Sequence, residues 1–235
     1  MTSETKRLGM PLLQAAQAQK HVTVNEALMR LDGAVNLVLQ STDATSPPGA
    51  VIDGQCWGVP DGALGGWSGQ GGKIAIGSNG GWIFVPATAG MRAFILDRGV
   101  EAIHGGAAWV YGALSLGRLG SGLLSNMIEA DVTVGEGASF DTGVTIPANV
   151  MVIGATAKVL NTLTGTLNTW SLGTGGATDR FGNGLGKSVG SYARGLLGAP
   201  MTYYSAANLI MTASGGNFTG GEVRLAVHWL ELHIP

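Results

Sequence analysis

Charge is scarce in this sequence. Lys, Arg, Asp and Glu make up 12% of its 235 residues, about half the share of an ordinary soluble domain. The 13 basic and 15 acidic side chains nearly cancel, and no basic block occurs anywhere in the chain. That speaks against a nucleic-acid partner, because neutralising phosphates takes clustered Lys and Arg. Cysteine is nearly absent too. Cys56 stands alone, so an internal disulfide is excluded. A chain of this length needs none, since it can bury roughly 70% of its unfolded surface. No apolar run approaches the ~20 residues of a membrane span. The start, MTSETKRLGMPLLQAAQAQK, has only an apolar patch interrupted by Gln, and no signal peptide is read in it. The expectation is synthesis in the cytoplasm, no membrane insertion, and export, if any, by some other agent.

Glycine is what the chain has in excess, at 40 residues, alongside a hydrophobic content of 45%. Disorder throughout is therefore not expected. High glycine with low charge suits short strands joined by tight turns. It also suits surfaces that are hidden inside an oligomer.

One helix interrupts this pattern, in the stretch Ala16 to Gln40. Thr23 and Glu26 have capping-box spacing, T-x-x-E. Val24, Leu28, Leu31, Val35 and Val38 follow at spacings of 4, 3, 4 and 3, the coiled-coil period. Ala27, Ala34 and Leu37 widen the stripe, so packing on its own domain and packing at a symmetry axis are both open. Gly33 weakens such a helix by ~1 kcal/mol relative to Ala. Pro47 and Pro48 are expected to end the helical segment.

Beyond the prolines the period changes. GQCWGV, GGKIAI, GWIFVP, MRAFILD and AAWVYG read as short strands between glycine turns. The domain expectations are an assembly or attachment segment at 1–49 and a small Trp- and Gly-rich β module at 50–112. A linker or stalk at 113–143 follows, and then a jelly-roll-like β-sandwich at 144–235. In the last of these, ANLIMTAS, GGNFTGG and EVRLAVHWLELHI read as a hairpin. The final strand is apolar on both faces, with Val223, Leu225, Val227 and Trp229 on one and Ala226, Leu230 and Leu232 on the other. It is therefore central to a sheet or covered by a neighbouring subunit, and a terminal position favours the subunit. The expected fold class is mainly β with an N-terminal helix, in an oligomer.

The chemical motifs are few. GNGLGKS, at 182–188, lacks the first glycine of a phosphate loop, where Phe181 stands. His21, His104, His228 and His233 form no metal-ligand spacing, and His228 and His233 fall on opposite faces of one strand. Cys56 reads as a small buried hydrophobe. Glu129 and Asp131 are one strand repeat apart, within the range of glycosidase acid pairs, but so are many pairs in any protein. No catalytic residue, metal or cofactor is expected. Aromatics beside polar loops could instead hold sugar rings. Trp82 and Trp109, inside apolar runs, read as core. Trp67, in GGWSGQ, is the platform candidate of that module. Asp179, Arg180 and Asn183, taken as an exposed loop TDRFGN, and Tyr203 and Tyr204 are candidates in the C-terminal one.

The segment PLLQAAQAQKHVTVNEALMRLDGAVNLVLQS, continued by GQCWGVPDGALGGWSGQGGKIAIGSNGGWIFVPATAGMRAFILDRGVEAIHGGAAWV, resembles an uncharacterised family. Its members occur in tailed phages, prophages and gene transfer agents of α-proteobacteria. AQKHVTVNEAL and the later G-x-W repeats carry the resemblance, over roughly residues 8–110. TIPANVMVIGATAKV and the segments after it resemble, more loosely, receptor-binding β domains attached to such proteins. The resemblance implies a non-enzymatic spike or fibre on the surface of a virion or gene transfer agent. It would be a homotrimer, docked on other particle proteins and binding a cell-surface polysaccharide. The alternatives are a purely structural head or tail adaptor and, less favoured, a polysaccharide depolymerase. On this reading the seam Val24, Leu28, Leu31, Val35 and Val38 is the assembly end.

Overall fold

The computed structural model describes residues 4–14 and 20–235. Positions 16–19 of the expected helical stretch lie outside the described residues. Backbone contacts divide the chain into two compact units, 1–120 and 121–235.

In the first unit, helix α1 spans Lys20–Ala34. Thr23 lies inside it, so the capping box does not form. Glu26 instead accepts from Arg30 one turn on, at 2.7 Å. Nor do the prolines end the helix. The backbone turns left-handed at Asn36, with φ of 46°, and the last carbonyls are taken by an arginine from before the helix. The Arg7 guanidinium donates to the carbonyls of Asp32 at 2.7 Å, Gly33 at 2.9 Å, Val35 at 3.2 Å and Asn36 at 2.5 Å. A cation at the negative end of the helix dipole, satisfying orphan carbonyls, is a stable stop. The segment carrying Arg7 is folded back: the amides of Arg7 and Leu8 both donate to the buried Asp32 carboxylate, at 3.2 and 2.7 Å.

The sheet of this unit comprises β1 (Val38–Leu39), β2 (Cys56–Gly58), β3 (Lys73–Ser78), β4 (Gly81–Pro86), β5 (Arg92–Ile95), β6 (Val100–His104) and β7 (Trp109–Tyr111). Its order is β4-β3-β2-β1-β5-β6-β7. β1 runs parallel to both of its neighbours, and the outer pairings are antiparallel hairpins. All five strands expected from the glycine-bounded runs are present. The β3–β4 turn places Asn79 and Gly80 at φ of 52° and 75°, the Asn-Gly hairpin that strand twist selects. Gly33 has a packing reason: a Cβ there would stand 2.5 Å from Ile76 Cδ1. A larger residue there would force the Ile76 side chain to shift. A separate apolar cluster is built on Trp67, whose ring meets Trp57 and Trp82 at centroid distances of 5.9 and 5.3 Å. A short strand, β8 (Ala113–Leu116), follows β7.

The second unit is all strand: β9 (Gly122–Thr133), β10 (Ser139–Ile146), β11 (Val150–Gly165), β12 (Thr169–Thr174), β13 (Ala177–Leu185), β14 (Tyr192–Tyr203), β15 (Ala207–Ser214) and β16 (Phe218–His233). One sheet has the order β10-β15-β12-β13, and the other runs β14-β11-β16-β9-β8. Their facing sides share one core, with Trp170, Leu172, Phe181, Leu209 and Met211 from the first sheet against Val152, Val223, Leu225, Val227 and Trp229 from the second. Two expectations are corrected here. The stalk expected at 113–143 is strand: β9 pairs with β16 over twelve successive positions, Gly122 to Thr133. And β15 and β16 do not form a hairpin. They belong to opposite sheets, and GGNFTGG crosses the sandwich with Phe218 buried in the core. Glycines 215, 220 and 221, at φ of 80°, 157° and 118°, supply that bend. β16 is central, hydrogen-bonded to β11 and β9 along its length.

Candidate functional site

The structure does not gather the residues proposed from sequence. Trp67 is 0% exposed, so its ring fills the core and offers no platform to a sugar. Tyr203 is buried too, its hydroxyl without a partner. Tyr204, its neighbour, is 82% exposed. Asp179, Arg180 and Asn183 lie on β13 and not on a loop. Asp179 and Asn183 face solvent. Arg180 is half-buried and directed at the Met201 sulfur of β14. The helical seam is shorter than expected, because Val35 lies past the end of α1 and Val38 lies in β1. Val24, Leu31 and Val35 are exposed, while α1 buries Met29, Asp32 and Gly33.

Three other places have the chemistry of a site. In the first unit, a cleft of about 220 Å³ is lined by Thr42, Asp61, Lys73, His104, Trp109 and Tyr111, among others. Trp109 stands edge-on to His104 at 5.0 Å. The Tyr111 hydroxyl meets Thr42 Oγ1 at 2.5 Å, and the Arg98 guanidinium lies 4.3 Å over the Tyr111 ring. Burial lowers the His104 pKa, opposed by a hydrogen bond to the Thr88 backbone. Its Nδ1 accepts the Gly106 amide at 3.2 Å, so the imidazole is a neutral, oriented wall of the cleft. Trp109 reads as core from its apolar run; its half-buried ring on this cleft was signalled only by the glycines just before it.

In the second unit, an open hollow of about 450 Å³ is bounded by Asp141, Thr174, Gly175, Gly176, Ala206, Ala207, Asn208 and Ile210. Its polar groups are pre-set. Asn208 Nδ2 donates to Asp141 Oδ2 at 2.9 Å, Thr145 Oγ1 donates to Asn208 Oδ1 at 2.7 Å, and the Gly143 amide donates to Asp141 Oδ1 at 3.0 Å. The Asn208 bond first, and the Gly143 amide second, hold the Asp141 carboxyl below the usual carboxylate range. An ionised carboxylate fixed beside an amide, with Tyr204 two residues from the rim, can orient hydroxyl groups. Sequence reasoning missed this pair because Asp141 and Asn208 are 67 positions apart, joined only by the β10–β15 register.

The third place is the outer face of the β14-β11-β16-β9-β8 sheet. The register puts its side chains in level rows. Tyr192, Lys158, Arg224 and Asp131 form one row, and Arg194, Thr156, Ala226 and Glu129 the next. Then come Leu196, Gly154, His228 and Met127, followed by Thr202, Met151, Leu230 and Ser125, and finally Leu232 and Leu123. The first two rows are largely polar, with Arg224 bound to both Asp131 oxygens at 2.6 and 2.7 Å. The remaining rows are largely apolar and wet: Leu196 is 77% and Leu232 79% exposed, and Met127 and Met151 are exposed as well.

Among the described residues, no three His, Cys, Asp or Glu side chains cluster as metal ligands, and no helix is long and apolar enough to cross a membrane. Lys187 of the GNGLGKS segment donates to the Leu167 carbonyl at 2.9 Å, as part of the fold.

A search of curated proteins finds no match. Among solved structures, the chain is similar to a chain of the cyanophage Pam1 capsid asymmetric unit. Identity is 20%, over 47% of this chain and 86% of that one, with a TM-score of 0.31, a likeness too slight to argue from. Residues 24–110, from α1 through β7, match the model of a family described as a protein of unknown function, DUF2793.

Proposed function

We propose that this chain is a non-enzymatic subunit of a phage-like particle, a spike or fibre of a virion or gene transfer agent, which self-associates and binds a cell-surface polysaccharide. The observation that carries the reading is the wet apolar half of the outer sheet face. A sandwich whose core is already complete exposes Leu196, Leu232, Met127 and Met151 together on one side. Contiguous apolar surface of that kind marks an interaction site, and the low charge of the whole chain fits burial against other copies. The resemblance of residues 8–110 to particle-borne proteins supplies the setting.

The Asp141–Asn208 hollow, with Tyr204 near its rim, is the best glycan contact on the chain. It offers a fixed acceptor pair for hydroxyls and an exposed aromatic face for the apolar side of a ring. Each contact is weak, and several copies on one particle raise the overall avidity by ~10²–10⁴. Purified protein is expected to bind encapsulated cells and not acapsular ones, and Asn208→Ala with Tyr204→Ala to reduce that binding without changing the fold. Equal binding to both cell types would refute the receptor role and leave a structural adaptor. Release of new reducing ends from the polymer would refute the non-enzymatic one.

A further inference from the structure

We infer that the cleft of the first unit is a second carbohydrate subsite. It takes one neutral sugar ring against Trp109, with the Asp61 carboxylate accepting from the ring hydroxyls. The inference rests on the polysaccharide-binding reading above and adds a site in the other unit of the chain.

The cleft is open because small residues surround it. Gly58, Gly72, Ala107 and Ala108 line it beside Trp109 and Tyr111, and none of the four carries a side chain able to fill it. Gly58 has no room to be larger, since a Cβ there would stand 2.8 Å from Thr42 Cγ2. The volume of about 220 Å³ falls below the ~300–1,000 Å³ usual for drug-sized ligands. It suits one ring and not a run of them.

The aromatic wall is fixed before any ligand arrives. Tyr111 is held by its hydroxyl contact to Thr42 at 2.5 Å and by Arg98 stacked over its ring, and Arg98 is itself paired with Asp43. His104 is buried, with the Gly106 amide on Nδ1, and Trp109 stands edge-on to it. Trp109 is only half-buried, so part of its ring surface is left for a ligand. A wall held in this way loses little freedom on binding, and an aromatic surface suits the apolar C–H side of a sugar ring.

The polar lining sets the ligand class. Asp61 is exposed, and its carboxylate has no hydrogen bond or ion pair among the described residues. Lys73 also lines the cleft, and its ammonium donates to the neutral Gln70 side chain at 2.8 Å. One carboxylate and one ammonium cancel, so the site as a whole favours neither an acidic nor a basic ligand. Hydroxyl groups, which both donate and accept, are served by either.

The test titrates the full chain with free glucose, galactose, mannose and N-acetylglucosamine at millimolar concentration. Glucuronate and lysine serve as charged comparators. Indole N–H signals in NMR report the response of Trp109. At least one neutral sugar is expected to shift the Trp109 signal, and the comparators to bind more weakly. Asp61→Ala is expected to weaken that binding by about tenfold. Ala108→Leu, which fills the cleft from an exposed position, is expected to abolish it. Neither substitution touches the core, and unchanged spectra elsewhere check the fold. Asn208→Ala with Tyr204→Ala should leave the response intact, because those residues lie in the other unit. Sugar binding that ignores Asp61→Ala and Ala108→Leu overturns this subsite and leaves the polysaccharide reading standing. Binding of encapsulated cells with no monosaccharide response at Trp109 does the same. Tighter binding of a comparator overturns the neutral class. No sugar binding, together with equal binding to encapsulated and acapsular cells, overturns both readings.

Discussion

Helix α1 and strand β16 are both apolar segments, and they bury opposite things. β16 hides Val223, Leu225, Val227 and Trp229 in the sandwich. α1 leaves Val24, Leu31 and Val35 in water and buries Met29, Asp32 and Gly33 instead. The difference lies in what sets each element's orientation. For β16 it is strand register: pairing over twelve successive positions sets Val223, Leu225, Val227 and Trp229 on the inward face, although the other face is partly apolar too. For α1 it is a small number of specific contacts. Gly33 gives the close approach to Ile76, and Asp32 receives the amides of Arg7 and Leu8. Within the single chain these contacts, and not the valines and leucines, orient the helix.

Substitutions in the two elements can break or sharpen this contrast. The largest loss is expected from Leu225→Ala, which empties a fully buried site and costs about 2–5 kcal/mol. Hydrogen exchange should place that loss in the second unit. Asp32→Ala comes next. It strips two amides of their buried carboxylate, a loss of about 2–3 kcal/mol, and raises exchange at Arg7, Leu8 and the last turn of α1. If Asp32→Ala is neutral, the clamp does not orient the helix.

Cys56 gives a pH-dependent check on the same unit. Burial, the dominant cause, raises its thiol from 9.0 to about 11; Arg7 pulls it down and Asp32 pushes it up. Below pH 9 the thiol is neutral in both the folded and the unfolded chain, and its contribution is fully present. Between about 9 and 11 the unfolded chain alone loses its proton, so stability falls as pH rises, by about 3 kcal/mol in all. Chemical denaturation across that range should show a steeper fall in the parent than in Cys56→Ala. The smallest effect is expected from Leu31→Ala. The residue is 49% exposed, and outside an interface its loss should stay within about 0.5 kcal/mol. A larger cost that depends on protein concentration would place the helical seam inside an assembly.

How much was readable in the sequence follows the same division. The alternation in VTIPANVMVIGATAKV and EVRLAVHWLEL specifies β11 and β16, and the glycine-bounded runs specify β2 to β5 and β7, because those signals are local. The hairpin expected over 207–234 differs from the structure for a physical reason. A glycine-rich connection between two strands is compatible with a tight turn or with a crossing between sheets, and only burial of Phe218 decides. The sugar-platform candidate of the first unit, Trp67, misleads for a related reason. Trp67 sits among glycines that suggest exposure, yet its burial comes from Trp57 and Trp82. The Asp141–Asn208 pair and the rows of the outer sheet face depend on strand register, which no local spacing encodes.

The central claim is that the apolar half of the outer sheet face is covered by other copies of the chain. Light scattering of the full chain, taken from micromolar to tens of micromolar concentration, tests it most directly. The account predicts a constant mass that is a whole-number multiple, two or more, of the 23.9 kDa chain. A single-chain mass throughout, with Leu196 and Leu232 in water, would contradict it.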